Sequence, residues 1–131
     1  LDKNVYVGLK SGGWVMGLVA DMNFAARIAK TAKQYGMNIH NCDRAEILIS
    51  HAGKNRPLFV VLDWDGCESE AFKVLKEFAA NADLRKVPVV GCLSSSKAGL
   101  KPVAEKAGCD RVYFKTEFFR VLSELFIRYT Q

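Results

Sequence analysis

From Trp14 onward the chain alternates between short runs that are apolar at nearly every position and longer stretches with apolar residues three or four apart. Runs with no polar face suit strands buried on both sides, and the longer spacing suits amphipathic helices, together the pattern of a parallel sheet covered by helices. The runs fall at about 15–20, 37–41, 58–62, 89–93 and 111–114, and a helical stripe follows each one. Phe24, Ile28, Ala32 and Tyr35 form the first stripe. Ile47 and Leu48 belong to the second, opened by Asp43 with Glu46 three residues later as a variant of the capping box. Phe72, Leu75 and Phe78 mark the third; Leu100, Val103, Ala104 and Ala107 the fourth; Phe118, Leu122, Leu125, Phe126 and Tyr129 the last. Gly36 and Gly108 end the first and fourth helices, where a left-handed cap is favoured.

A strand-helix unit repeated five times, with right-handed crossovers as the rule, predicts an α/β fold: a three-layer α/β/α sandwich around a five-stranded parallel sheet of order 2-1-3-4-5. Ligands of such sheets sit beyond the carboxyl ends of the strands at the switch point, which carries Asp21 after the first strand and Asp63 after the third. Residues 1–13 precede the repeat and, with Ser11-Gly12-Gly13, read as a tail or linker, although Val5-Tyr6-Val7 suits a short edge strand; residues 14–131 form the domain.

Composition removes several function classes. The longest apolar run, from Trp14 to Ala20, is too short to cross a bilayer, so a soluble domain is expected. Four cysteines at 42, 67, 92 and 109 show neither C-x-x-C nor histidine at ligand spacing, so neither a zinc site nor a disulfide framework is expected, and a reducing cytoplasm fits best. The net charge of +5, from 19 Lys and Arg against 14 Asp and Glu, is spread over separate segments without interleaved aromatics, so nucleic acid is not the expected partner. His40 and His51 fall on a strand and a helix end and are expected to be core or surface histidines rather than a catalytic pair.

The stretch Phe59-Val60-Val61-Leu62-Asp63-Trp64-Asp65-Gly66 carries the most chemistry. A carboxylate at the mouth of an apolar strand can accept a phosphoryl group as an acyl phosphate if a divalent cation and an ammonium offset the charge on the phosphoryl oxygens. Asp21, Asp63 and the backbone carbonyl of Asp65 are candidate oxygen ligands for magnesium, and Lys115 at the end of the fifth strand is the candidate counter-charge. Asp21 is equally suited to capping the helix that follows it.

Over residues 14–131 the chain resembles a response-regulator receiver domain, the chemotaxis-receiver-like fold. The resemblance rests on Asp63-Trp64-Asp65 followed by Glu70 to Lys76, on Val87-Pro88-Val89-Val90, and on Gly108 to Lys115. It implies a two-component phosphorelay function with Asp63 as phospho-acceptor and Lys115 as its partner. Magnesium would lie at Asp21, Asp63 and Asp65, and the phosphoryl donor would be a histidine kinase or phosphotransfer protein. The chain also departs from the family. Receivers present two adjacent acidic residues after the first strand, whereas here the pair reads Ala20-Asp21. The family's Ser/Thr after the fourth strand falls on Leu93, and Ser94 lies one position along, where strand alternation turns a side chain away. The switching aromatic falls on Val112 and the proline after the lysine on Thr116. The expectation is an atypical receiver whose threonine-switch coupling is weakened or absent, working mainly through protein contacts.

The last helix carries more apolar residues than one buried stripe needs, which marks the helix 4-strand 5-helix 5 face as the expected surface for a downstream protein, an output domain or a homodimer. Three alternatives compete with this reading. A haloacid-dehalogenase-like phosphatase would use Asp63 as nucleophile and Asp65 as acid/base, with Ser94 and Lys97 or Lys101 as later motifs, but Asp110 stands alone where that family has an acidic pair. A flavodoxin needs a hydroxyl- and glycine-rich phosphate loop, which Asp21-Met22-Asn23-Phe24-Ala25 lacks. A pseudo-receiver would function with no phosphorylation at all. Cys67, beside Asp63, is expected to be a structural thiol.

Overall fold

A computed structural model of the chain describes residues 13–130. The suggested strand at Val5-Tyr6-Val7 lies outside the described residues. The elements alternate throughout: β1 (Trp14–Leu18), α1 (Met22–Gln34), β2 (Asn38–Asn41), α2 (Ala45–Lys54), β3 (Val60–Asp63), α3 (Glu68–Ala80), β4 (Val89–Leu93), a short 3-10 turn (Ser95–Lys97), α4 (Leu100–Ala107), β5 (Arg111–Phe114) and α5 (Lys115–Thr130). All pairings are parallel and the order is β2-β1-β3-β4-β5, as the repeat predicts.

Strand alternation divides the core in two. Met16, Leu18, Val60, Leu62 and Leu93 face one side and pack with residues of α2, α3 and α4. Val15, Val61, Val90 and Cys92 face the other and pack with Phe24 and Ile28 of α1 and Phe118, Leu122 and Phe126 of α5. α5 therefore absorbs most of its surplus apolar residues. Phe119 lies against Phe24 at 5.1 Å and beneath the Arg27 guanidinium at 3.8 Å, and of the described large apolar residues of this helix only Ile127 is substantially exposed. The apolar face foreseen on helix 4, strand 5 and helix 5 shrinks to Ile127 and Val103, because α5 packs against α1 as well as the sheet.

Three local expectations change. β2 is not buried on both sides: Asn38, His40 and Asn41 are exposed, because an edge strand has a neighbour on one side only. α2 is not opened by Asp43. It begins later, at Ala45, so Asp43 and Glu46 flank Arg44 in exposed ion pairs of 3.9 and 3.0 Å, while the Ala45 N–H donates to Glu70 Oε1 of α3 at 2.8 Å. In α3 the buried face is Ala71, Val74, Leu75 and Phe78, and Phe72 stays 41% exposed with its ring edge-on to Trp64 at 5.0 Å. Trp64 is fully buried.

Trp64 also explains a glycine in the middle of β4. A Cβ on Gly91 would lie 2.9 Å from Trp64 Nε1, 3.1 Å from its Cδ1 and 3.3 Å from Cys109 Sγ. Neither neighbour can retreat, since both are buried in the same cluster. Gly91→Ala is expected to destabilise the domain by about 1–3 kcal/mol through overpacking, and pairing it with Trp64→Phe should recover part of the loss. Urea denaturation of the single and double variants checks this; a neutral Gly91→Ala would mean the indole does not occupy that space.

Candidate functional site

The register of the sheet assembles the site. Asp63, the last residue of β3, lies beside Cys92 of β4, and Leu93 lies beside Phe114, so Lys115 emerges at the same rim as Asp63. Asp63 is the one charged residue with no solvent exposure among the described residues. Its Oδ1 accepts the N–H of Asp65 at 2.9 Å, an Asx-turn that curls the chain back, and Gly66 at φ 78 completes the reversal into α3. This turn brings a second carboxylate beside the first.

Lys115 Nζ stands between the two, 2.9 Å from Asp63 Oδ2 and 3.1 Å from Asp65 Oδ2, and 4.7 Å from the centre of the Phe24 ring. Asp65 is also held from the other side. The Ser94 N–H donates to its two oxygens at 3.1 and 3.0 Å, and Ser94 Oγ lies 3.2 Å from Oδ1 and 2.9 Å from Ser96 Oγ. Ser94 was expected to point away from the crevice. It lies just past the end of β4, where the chain leaves the pleat for the 3-10 turn, so strand alternation no longer governs it. Leu93 is buried in the core, Val112 is buried on β5, and Thr116 lies in the first turn of α5. The side chain of Asp65 as a bridge between Lys115 and Ser94 is the feature the sequence reading missed; the D-x-D-G pattern, which favours an Asx-turn, was the available signal.

Burial pushes the Asp63 carboxyl above its usual range; the Lys115 bond and the Asp65 N–H pull it back without cancelling that effect. For Asp65, burial acts in the same upward direction, but the Ser94 N–H and Lys115 outweigh it and hold the carboxyl below its ordinary value. Burial disfavours the charged form of Lys115 as well, yet the two carboxylates more than offset it, and the ammonium is stabilised. Burial and then the Asp63 charge raise the Cys67 thiol, which fits a structural rather than nucleophilic cysteine.

Asp21 takes its other role. Its Oδ1 accepts the N–H groups of Asn23 at 3.0 Å and Phe24 at 3.2 Å, capping α1. Receiver folds imply magnesium at this rim, but the donor set does not fit the ion well. Asp21 is turned to the helix, Asp63 and Asp65 are bonded to Lys115, and no group of three or more His, Cys, Asp or Glu is spaced to hold a metal among the described residues. The phosphatase motifs do not assemble either. Lys97 pairs with Glu68 at 3.8 Å, Lys101 lies over the Phe114 ring, and Asp110 bonds the Val89 N–H at the opposite end of β4.

The sequence matches no protein-family model and no curated protein. Its structure is similar to a response regulator from Hahella chejuensis, with a TM-score of 0.78 at 14% identity over 90% of this chain and 95% of that one. It is also similar to the Mn(2+)-bound response regulator Rcp1, with a TM-score of 0.73 at 13% identity over 91% and 95%. A third similar structure is the receiver domain of a sensor histidine kinase from Pseudomonas aeruginosa with magnesium in its active-site cleft, at a TM-score of 0.71 and 15% identity over 88% and 98%. The chain has the fold of response-regulator receiver domains, and no helix among the described residues is long and apolar enough to cross a membrane.

Removing Lys115 leaves two facing carboxylates, one fully buried. Lys115→Met is expected to cost about 3–5 kcal/mol, and Asp63→Asn in the same chain should restore most of it. The acid limb tests Asp65 separately. Its folded pKa lies below the unfolded one, so its contribution is complete above the unfolded carboxylate range and disappears as pH falls through the folded value. Asp65→Asn should therefore lower stability at neutral pH by about 1–3 kcal/mol and flatten the decline on acidification. A variant that tracks the parent curve at every pH would refute the bridging role.

Proposed function

We propose that the chain is an atypical receiver domain of a two-component phosphorelay, acting through protein contacts and only weakly switched by phosphorylation. The observation that carries the reading is the double engagement of Asp65 by Lys115 and Ser94. Asp63 at the carboxyl rim of β3 has the chemistry to receive a phosphoryl group from a phosphohistidine of a histidine kinase or phosphotransfer protein. A carboxylate oxygen would form the O–P bond as the N–P bond breaks. Such a group needs cationic and N–H partners for its oxygens. Here Lys115 and Ser94, the nearest such donors, already serve Asp65. A phosphoryl group must compete for them, and what it gains by moving the β4–α4 loop is correspondingly small.

Magnesium, where it binds, is expected to bind weakly, since the carboxylates in the crevice are already partnered. Output would pass through the face of α4, β5 and α5, where Val103 and Ile127 are 43% and 42% exposed. The free thiols Cys42, Cys67, Cys92 and Cys109 suit a reducing compartment such as the cytoplasm.

Backbone amide shifts during titration with magnesium and then beryllofluoride, a phosphoryl mimic, test the reading. The expected result is weak magnesium affinity and shifts confined to Asp63, Asp65, Ser94 and Lys115. Shifts that spread to Val112 and along α5 would overturn weak coupling and indicate an ordinary switch. Sustained phosphatase turnover lost in Asp65→Asn would overturn the receiver reading itself.

A further inference from the structure

The chain has two histidines, and they face each other. His40 stands on β2 opposite Met16 of β1, and His51 lies on α2; their ring centres are 6.1 Å apart at 45°. Neither ring makes a hydrogen bond or ion pair among the described residues. Trp14 ties their two elements together. Its ring meets His40 edge-on at 4.7 Å, and its Nε1–H donates to the carbonyl of Asn55, the residue that ends α2, at 2.9 Å. Both histidines line a cleft of about 620 Å³ at the β2 side of the carboxyl rim, with Val19, Met22, Ile47 and the Asp43 carboxylate also on its walls.

We propose that His40 and His51 form a two-imidazole site for a late divalent transition-metal ion of the zinc, nickel or copper class. Imidazole nitrogens bind such ions at about 2.0–2.1 Å, which places each ring centre about 3.2 Å from the ion and lets two rings share it at separations up to about 6.4 Å. The observed spacing falls inside that limit and corresponds to an angle of about 145° at the ion; a tetrahedral angle would bring the ring centres to about 5.2 Å. Cys42 and Cys67 also line the cleft. Water fills the remaining positions, for which the cleft has room. The site is separate from the Asp63 crevice and independent of phosphoryl chemistry.

The test is zinc titration of the untagged full chain, followed by calorimetry and by imidazole nitrogen spectra, which contain only two ring systems. One-to-one saturable binding that shifts both imidazoles together is expected. His40→Gln and His51→Gln, each checked for intact folding by circular dichroism, should each weaken zinc by about tenfold or more, as a two-ligand site loses one ligand. Asp63→Asn should leave zinc affinity unchanged. Affinity indifferent to both histidine variants, or lost only in Asp63→Asn, would overturn the proposal.

Discussion

The carboxyl rim of this molecule depends on one ammonium held between two carboxylates. Asp63 has no contact with solvent, and a carboxylate removed from water is tolerated only when its charge is met or its proton retained. Lys115 meets that charge at 2.9 Å and reaches Asp65 at 3.1 Å, so a single side chain fastens the end of β3, the loop after it and the start of α5. Ser94 extends the network to the loop after β4. Three segments far apart in sequence are joined by hydrogen bonds that include charged groups, stronger than those between neutral ones.

Parallel strands make this possible, because every strand delivers its carboxyl end to the same rim. The register places Asp63 beside Cys92, and Lys115 follows Phe114, the partner of Leu93, so the two charges meet without an unusual rotamer being required by the topology. What the sheet does not determine is where Asp65 points. The Asx-turn on Asp63 and the positive φ of Gly66 do that, and they turn the second carboxylate inward rather than toward solvent.

The architecture was legible in the sequence because apolar runs and helical stripes report burial, and burial is what a layered α/β fold arranges. The strand order and the meeting of Asp63 with Lys115 followed from that pattern and the receiver resemblance. Effects set by side chains across the chain were not legible. Glu70 capping α2 joins residues 25 positions apart, so local cap signals at Asp43 and Glu46 pointed to the wrong start. Phe72 fitted the helical stripe in sequence, but the buried face of α3 runs through Ala71, Val74, Leu75 and Phe78 and leaves it at the edge. Ser94 followed strand alternation in the sequence reading, but β4 ends one residue earlier and frees it to turn toward Asp65. His40 and His51 were assigned to different elements, and only the packing of α2 beside β2 brings them face to face.

Charge explains why a change of one carboxylate's position matters more than the loss of one. Receivers place paired acids after the first strand, a concentration of negative charge suited to a divalent ion. Here Ala20 stands in that pair, Asp21 caps α1, and the extra carboxylate sits at Asp65 instead. Two carboxylates and one ammonium leave the inner crevice with a formal charge of about −1; an acyl phosphate on Asp63 would carry close to two negative charges in place of that carboxylate's one, a net gain of about one. On the proposed reading, the phosphoryl oxygens would draw on Lys115 and Ser94, the donors that Asp65 now uses. On that reading the crevice would gain little by exchanging one anion for the other, because Asp65 occupies donors that a phosphoryl group needs.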